Sequence, residues 1–445
     1  METSVIAAGS AASISGSVLA SLAAILAAAY LFARLAQRLR QPAVVGEIVA
    51  GLALGPSLLG LLPGHLTHLL FPAPVLPYLN ILSQLGLVLF MFGIGYQLDA
   101  SHLRGVGRRI TAVSLSSVAL PFALGMGLAA LLLPWFITRE MKTDGLLAPA
   151  LFLGAAMSIT AFPVLARIIT EHDMHKDRIG IMSLACAAIQ DVLAWCILAV
   201  VIAIVNSTGG WPLALLALES VAFLLGLIYV VRPGLTWLLA PERRWAGAPA
   251  THATLVVGLL LSAWATDKIG LHAVFGAFAF GAAVPRRQID ALAPEVPERI
   301  EQSSLFLLPA FFTVTGLSVN LGGLGVRGVV MVLAVVTVAC IGKFVGASGA
   351  ARLTGASGRE SITLGILLNT RGLTELVILN VGLSLGVLDS RLFTAMVLMA
   401  VFTTVITGPL LQRVHPRSPH PPTAHQQPET HTADESQSRT PDAVS

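Results

Sequence analysis

The sequence predicts an all-α polytopic membrane protein with about thirteen transmembrane helices. Three observations predict it. Of 445 residues, 55% are hydrophobic and 11% charged, against about 25% charged in soluble globular chains, and mean hydropathy is +0.82. The apolar residues fall into stretches of about 20, the length a helix needs to cross a bilayer. Two of those stretches are interrupted at mid-depth by polar and helix-breaking residues.

In order, the spans lie near 16–36, 43–61, 78–98, 110–133, 147–170, 179–205, 212–232, 250–266, 270–284, 302–319, 327–350, 361–385 and 391–412. The ninth is short, and its merging with a neighbour would leave twelve. The first is preceded by METSVIAAGSAASISGS, which has no basic n-region, and ends in Arg34, Arg38 and Arg40. It reads as a membrane helix and not as a cleaved signal peptide.

Orientation follows from the basic residues. With the N-terminus outside, the inner loops hold Arg38, Arg40, Arg104, Arg108, Arg109, Lys176, Arg178, Arg243, Arg244, Arg286, Arg287 and Arg413. The outer loops hold Arg139, Lys142, Lys268, Arg327 and Arg391. This bias places the C-terminus in the cytoplasm and the chain in the plasma (inner) membrane. Residues 1–413 are expected to form the transmembrane domain. Residues 414–445, rich in Pro, His, Thr and Ser without an apolar period, are expected to be a disordered cytoplasmic tail.

The formal charge of +4 is mostly arginine at span ends, so topology explains it and no nucleic-acid partner is implied. Cys186, Cys196 and Cys340 all lie in apolar spans, offer no disulfide framework and read as buried filler. No cofactor is expected.

Asp191 is the most informative residue. It sits with Gln190 deep inside the sixth span, where an ionisable side chain costs about 2.5–3.5 kcal/mol even on the lenient insertion scale. Desolvation disfavours its charged form, so it needs a neutralising ligand: a proton or a small cation.

The two interrupted spans are the fifth and the twelfth. The fifth carries Ser158, Thr160 and Pro163, and the proline frees a backbone carbonyl about one turn earlier, near Ile159 and Thr160. The twelfth carries Asn369, Thr370, Arg371 and Gly372 at mid-depth. The spans are an odd number apart and so run in opposite directions. Paired interruptions of this kind point to a binding site near the bilayer midplane, although either alone reads as an ordinary kink.

Lys343 lies deep in the eleventh span; the competing reading is a lysine that snorkels to the interface. Arg371 and Glu375 share a helical face at i, i+4 and read as a buried structural pair that fixes the broken helix. Glu47 and Glu219 are also intramembrane, without a basic partner in their own spans.

Six motifs then carry a resemblance. They are QPAVVGEIVAGLALGPSLLG from Gln41, LGLVLFMFGIGYQLD from Leu85, SITAFPVLARII from Ser158, Gln190-Asp191, GKFVG from Gly342 and NTRGLTEL from Asn369. Together, over roughly residues 16 to 412, the chain resembles the monovalent cation:proton antiporters. The nearest branch holds bacterial sodium/proton and potassium/proton exchangers and plant cation/proton exchangers.

The resemblance implies an inverted-repeat antiporter fold, with two crossed discontinuous helices and a core domain moving against a dimerisation domain in a homodimer. It implies Na+ or K+ and H+ as substrates, with Asp191 as the transient cation ligand and proton carrier. Thr160 falls in the matching unwound segment, and Lys343 matches the core lysine. In electrogenic relatives an acid precedes the ion-carrying aspartate; here Gln190 stands in its place. Glutamine cannot change charge with pH. One titrating carboxylate makes one-for-one exchange the simplest cycle, whereas a two-for-one cycle would need Lys343 to release its proton. The Gln-Asp pair also resembles the glutathione-gated potassium efflux systems, which favours potassium.

Besides a non-transporting sensor, two other readings stay open on sequence. One is a cation channel or sodium-coupled symporter of similar fold. The other is an intramembrane serine protease, since Gly346-Ala-Ser348-Gly349 matches a nucleophile pattern, with His272 as the one plausible base.

Overall fold

A computed structural model describes residues 2–414 apart from 40, 62, 64–65, 98–106, 137–145, 173, 175–176, 207–209 and 241–246. The expected tail, beyond Val414, lies outside the described residues, as do Arg40, Arg104, Arg139, Lys142, Lys176, Arg243 and Arg244 of the charge count.

Among the described residues all regular structure is helical. The chain begins with α1 (Glu2–Arg38), α2 (Ala43–Leu54), the short α3 (Leu66–Leu70), α4 (Leu76–Gln97) and α5 (Arg108–Phe136). The first interrupted span is α6 (Leu147–Ser158) and α7 (Phe162–Glu171), followed by α8 (Arg178–Asn206). Next come α9 (Gly210–Gly226), α10 (Arg232–Leu238), α11 (Ala248–Ile269), α12 (Ala273–Ala283), α13 (Arg286–Leu292) and α14 (Glu295–Leu317). The chain closes with α15 (Gly325–Leu353), the second interrupted span as α16 (Gly358–Leu368) and α17 (Leu373–Ser384), and α18 (Ser390–Val414).

All thirteen expected spans contain helix, though not every one is a single helix long enough to cross a membrane alone. Nine helices among the described residues are long and apolar enough to do so. The second and ninth spans contract to α2, of 12 residues, and α12, of 11. At 1.5 Å per residue these reach about 18 and 17 Å, short of a hydrocarbon core of about 30 Å. The causes are local. Gly55 and Pro56 stop α2, because proline cannot continue the ladder. Gly270, at φ 94°, closes α11 in the left-handed region before His272 caps α12. The tenth span starts earlier than expected, at Glu295, with Glu295 and Glu298 matching the positive end of α14. Between α9 and α10 the chain stays helical through one π turn, Leu227–Val231, beside Pro233, which lacks the donor a regular helix needs.

Packing divides the helices into two groups. In one, α4 lies against α14 and α12, with α1 and α2 covering α14 and α11 against α12. In the other, α5 lies between α15 and α6, and α8, α16 and α18 complete the cluster. Close approach within each group rests on glycine. A Cβ on Gly316 of α14 would fall inside the backbone of Gly51 in α2, and one on Gly342 of α15 would meet Pro121 Cα of α5 at 2.9 Å. Small residues let membrane helices gain contact where lipid offers no hydrophobic drive.

Three further expectations meet the structure here. Only Cys186 is buried among the cysteines; Cys340 is half-buried and Cys196 exposed, so filler describes one of the three. Glu47, half-buried, faces Arg167 of α7 electrostatically, a partner from another helix. Glu219 is exposed on α9.

Candidate functional site

The two interrupted spans meet at their breaks. α6 ends at Ser158, residues 159–161 are non-helical, and Pro163 occupies the first turn of α7, where its missing N–H costs nothing. In the partner span α16 ends at Leu368 and α17 starts at Leu373. Across the crossing the Ala161 amide donates to the Thr370 carbonyl at 3.1 Å, and the Thr160 hydroxyl lies 2.7 Å from the Leu368 carbonyl. Thr404 of α18 clamps the second break by accepting from the Arg371 amide at 3.2 Å and donating to the Arg371 carbonyl at 2.6 Å. Gly372 is required for this approach, since a Cβ there would stand 2.6 Å from Val164 Cγ2 in α7.

Four half-helix ends thus converge, and each is met by a group that suits it. Arg371 donates from Nη1 to the Ala156 carbonyl at 3.0 Å and from Nη2 to the Met157 carbonyl at 2.5 Å, so it caps the negative end of α6. Lys343 Nζ donates to Thr160 Oγ1 at 2.8 Å, and through that hydroxyl a second cation reaches the end of α16. Glu375 sits in the first turn of α17 and pairs with Arg371 at 3.1 Å, both side chains fully buried. Asp191 of α8 faces the amide of Phe162 at the start of α7.

The hydrogen-bond ledger around Asp191 is uneven. Lys343 also donates to Gln190 Oε1, at 2.9 Å, and Thr160 Oγ1 lies 2.6 Å from that same oxygen. The single Thr160 proton serves either Gln190 or Leu368 at any moment. Asp191, 1% exposed, stands near the Phe162 amide but has no hydrogen bond of ordinary geometry on either carboxylate oxygen among the described residues. Gln190 Nε2, Asn369 Oδ1, Thr370 Oγ1, Thr374 Oγ1 and Glu375 Oε2 are likewise buried and without one. Buried polar groups in folded proteins are ordinarily paired, so this concentration marks a place built for something else. Its orphans are mostly oxygens, which suits a hard cation.

The expected site residues are therefore brought together at the crossing. Ser158 turns its hydroxyl back to the Ala155 carbonyl at 2.7 Å, so it stabilises the end of α6. Thr160 and Gln190, expected among the oxygens around a cation, are engaged by Lys343 in this arrangement. Asn369 points its amide nitrogen at Cys340 Sγ, 3.7 Å away. Sequence reasoning does not reach Thr404 or the carbonyls of Ala156 and Met157. For Thr404 a hydroxyl on the apolar α18 is a weak signal, because such a group usually bonds its own helix, and the Ala400 carbonyl, 2.8 Å away, competes with that of Arg371 for its one proton. The protease constellation is not assembled: Ser348 packs toward Gly365 of α16, while His272 caps α12.

Broken helices that cross beside a buried carboxylate suit a membrane transporter. The family model for transmembrane sodium/hydrogen exchangers matches residues 22–415, and the chain belongs to that family. It is 40% identical over 386 residues to the Na+/H+ antiporter NhaS4 of Synechocystis sp., covering 85% of this chain and 92% of that protein. It is 34% identical over 390 residues to K+/H+ antiporter 1 of Saccharomyces cerevisiae, covering 85% of this chain but 44% of the yeast protein. The chain thus spans under half the length of that relative. In structure it resembles the sodium proton antiporter MjNhaP1 from Methanocaldococcus jannaschii, at TM-score 0.63 and 15% identity, over 89% of this chain and 96% of the other. The expected inverted-repeat antiporter fold is the fold observed.

Proposed function

We propose that the chain exchanges a monovalent cation, Na+ or K+, for protons by alternating access, with Asp191 binding the two in turn. The observation that carries this reading is the pair of buried, unpartnered carboxylate oxygens of Asp191 at the helix crossing, while Arg371 and Lys343 direct their hydrogen bonds to other acceptors. The similarity to Na+/H+ and K+/H+ antiporters supports it.

In the cycle, Asp191 takes a proton on the proton-rich side and its cation leaves. The group of α5, α6, α7, α8, α15, α16, α17 and α18 then shifts against the group of α1, α2, α4, α11, α12 and α14. On the far side the acid loses its proton and a partly dehydrated cation binds. Only the neutralised carboxylate crosses cheaply, so the desolvation cost of a bare charge suppresses leak. The exchange is one for one, because Gln190 cannot titrate and Lys343 already has two oxygen partners. The chain works as a homodimer in the plasma membrane, N-terminus outside, with residues 414–445 as a cytoplasmic tail.

Asp191→Asn, purified and reconstituted in liposomes, abolishes pH-driven Na+ and K+ flux while the protein remains monodisperse. Continued flux in that variant rejects the assignment. Counterflow without any organic solute separates antiport from symport, and strict coupling to protons separates it from a channel.

A further inference from the structure

At the arginine-rich end of the bundle, α5, α8 and α15 open onto a cavity of about 1000 Å³. Arg108, Arg109, Arg178, Ile181, Met182 and Leu353 line it. Arg109 serves the fold: its Nε and Nη2 donate to the Thr354 carbonyl at 3.2 and 2.8 Å and close the negative end of α15. Arg108 and Arg178 are exposed, and neither guanidinium donates a hydrogen bond among the described residues.

Two acidic residues lie close by. Glu360 faces Arg109 and Arg178 electrostatically, but its carboxylate is held by the Ser357 amide at 2.8 Å in the capping box of α16. Asp177, beside Arg178 in the chain, is itself engaged. The cavity therefore presents two guanidiniums that donate no hydrogen bond among the described residues, one of them with Glu360 nearby. Against them stand apolar side chains that water would not favour: Leu353 is 90% exposed and Ile181 55%. Charge bias across the membrane accounts for arginines at this end. It does not account for their convergence, from two helices, on one cavity with an apolar wall.

We propose that this cavity holds the headgroup of an anionic phospholipid, its phosphate on Arg108 and Arg178 and an acyl chain along Ile181 and Leu353. Basic pockets between membrane helices at the headgroup level suit such lipids, and guanidinium forks match phosphate oxygens. A free phosphate satisfies the arginines but leaves the apolar wall uncovered. The lipid grips α8 and α15, the helices that carry Asp191 and Lys343, at a point about 20 Å along α8 from Asp191. It is thus a binding site separate from the cation pathway.

Native mass spectrometry of the full chain with phosphatidylglycerol, phosphatidylcholine or inorganic phosphate tests this, and its readout does not depend on transport. Phosphatidylglycerol is retained over phosphatidylcholine, and phosphate does not displace it. Arg108→Gln with Arg178→Gln weakens retention about thirtyfold, the effect of two guanidiniums at roughly 1 kcal/mol each. Arg38→Gln with Arg287→Gln, which removes equal charge elsewhere at the same end, leaves it unchanged. Leu353→Asn weakens lipid retention with every arginine in place. Equal losses in both double variants, no loss in either, or binding of phosphate without lipid would overturn the proposal.

Discussion

Lys343 places its ammonium 2.9 Å from the side-chain oxygen of Gln190 and not on the carboxylate of Asp191 one residue further along α8. A neutral amide thereby takes the lysine's hydrogen bond, while the ammonium acts on the carboxylate only through space. Both carboxylate oxygens of Asp191 are left without a hydrogen bond among the described residues and so open to a ligand. Its neighbours Arg371 and Glu375 neutralise each other.

That arrangement predicts an exchange blind to voltage. An imposed potential leaves the final cation distribution in wild-type liposomes unchanged, where one net charge per cycle would shift it by about 2.3 kcal/mol per 100 mV. Gln190→Glu puts a second acid opposite Lys343 and makes the exchange respond to potential. Transport currents on a supported membrane report both, and a sustained wild-type current contradicts the one-for-one cycle.

Arg371 is predicted to matter for the fold before it matters for transport. Arg371→Met strands Glu375 as a buried charge and uncaps α6, at a cost of about 3–5 kcal/mol. Arg371→Met with Glu375→Leu recovers most of the thermal stability in detergent but not the exchange. Arg371→Lys recovers little, because an ammonium cannot reach the Ala156 and Met157 carbonyls and Glu375 as a planar fork does. Thermal unfolding of the four proteins checks the order.

At the crossing itself, Gly372→Ala drives a Cβ to 2.6 Å from Val164 Cγ2. Overpacking of this kind costs about 1–3 kcal/mol. Val164→Ala in the same chain relieves it, so the double variant is more stable than Gly372→Ala alone. Additive losses in the double-mutant cycle would show that the two residues do not meet.

How far these features are legible in the sequence depends on their range. Pro163 and the Asn369-Thr370-Arg371-Gly372 run break the apolar period locally, so both interruptions can be placed to within a turn. Asp191 and Lys343 stand out because a charged side chain at that depth is costly and therefore rare. The partnerships are different. Arg371 reaches Met157 across 214 residues, and Lys343 reaches Gln190 across 153. No periodicity encodes such distances, so Arg371 reads as a partner of Glu375 alone, and Gln190 as an ion ligand before a lysine partner. The shortness of α2 is written in Gly55-Pro56, but the apolar residues beyond it, Leu58, Leu59 and Leu61, extend the expected span to 61.

The most direct test of competition at one carboxylate is proton release on cation binding. When Na+ or K+ is added to purified protein in weak buffer at a pH where Asp191 holds its proton, the account predicts about one proton released per cation bound, with apparent affinity rising as pH rises. Asp191→Asn releases none. Cation binding without proton release in the wild type, or equal release from the Asn variant, would contradict it.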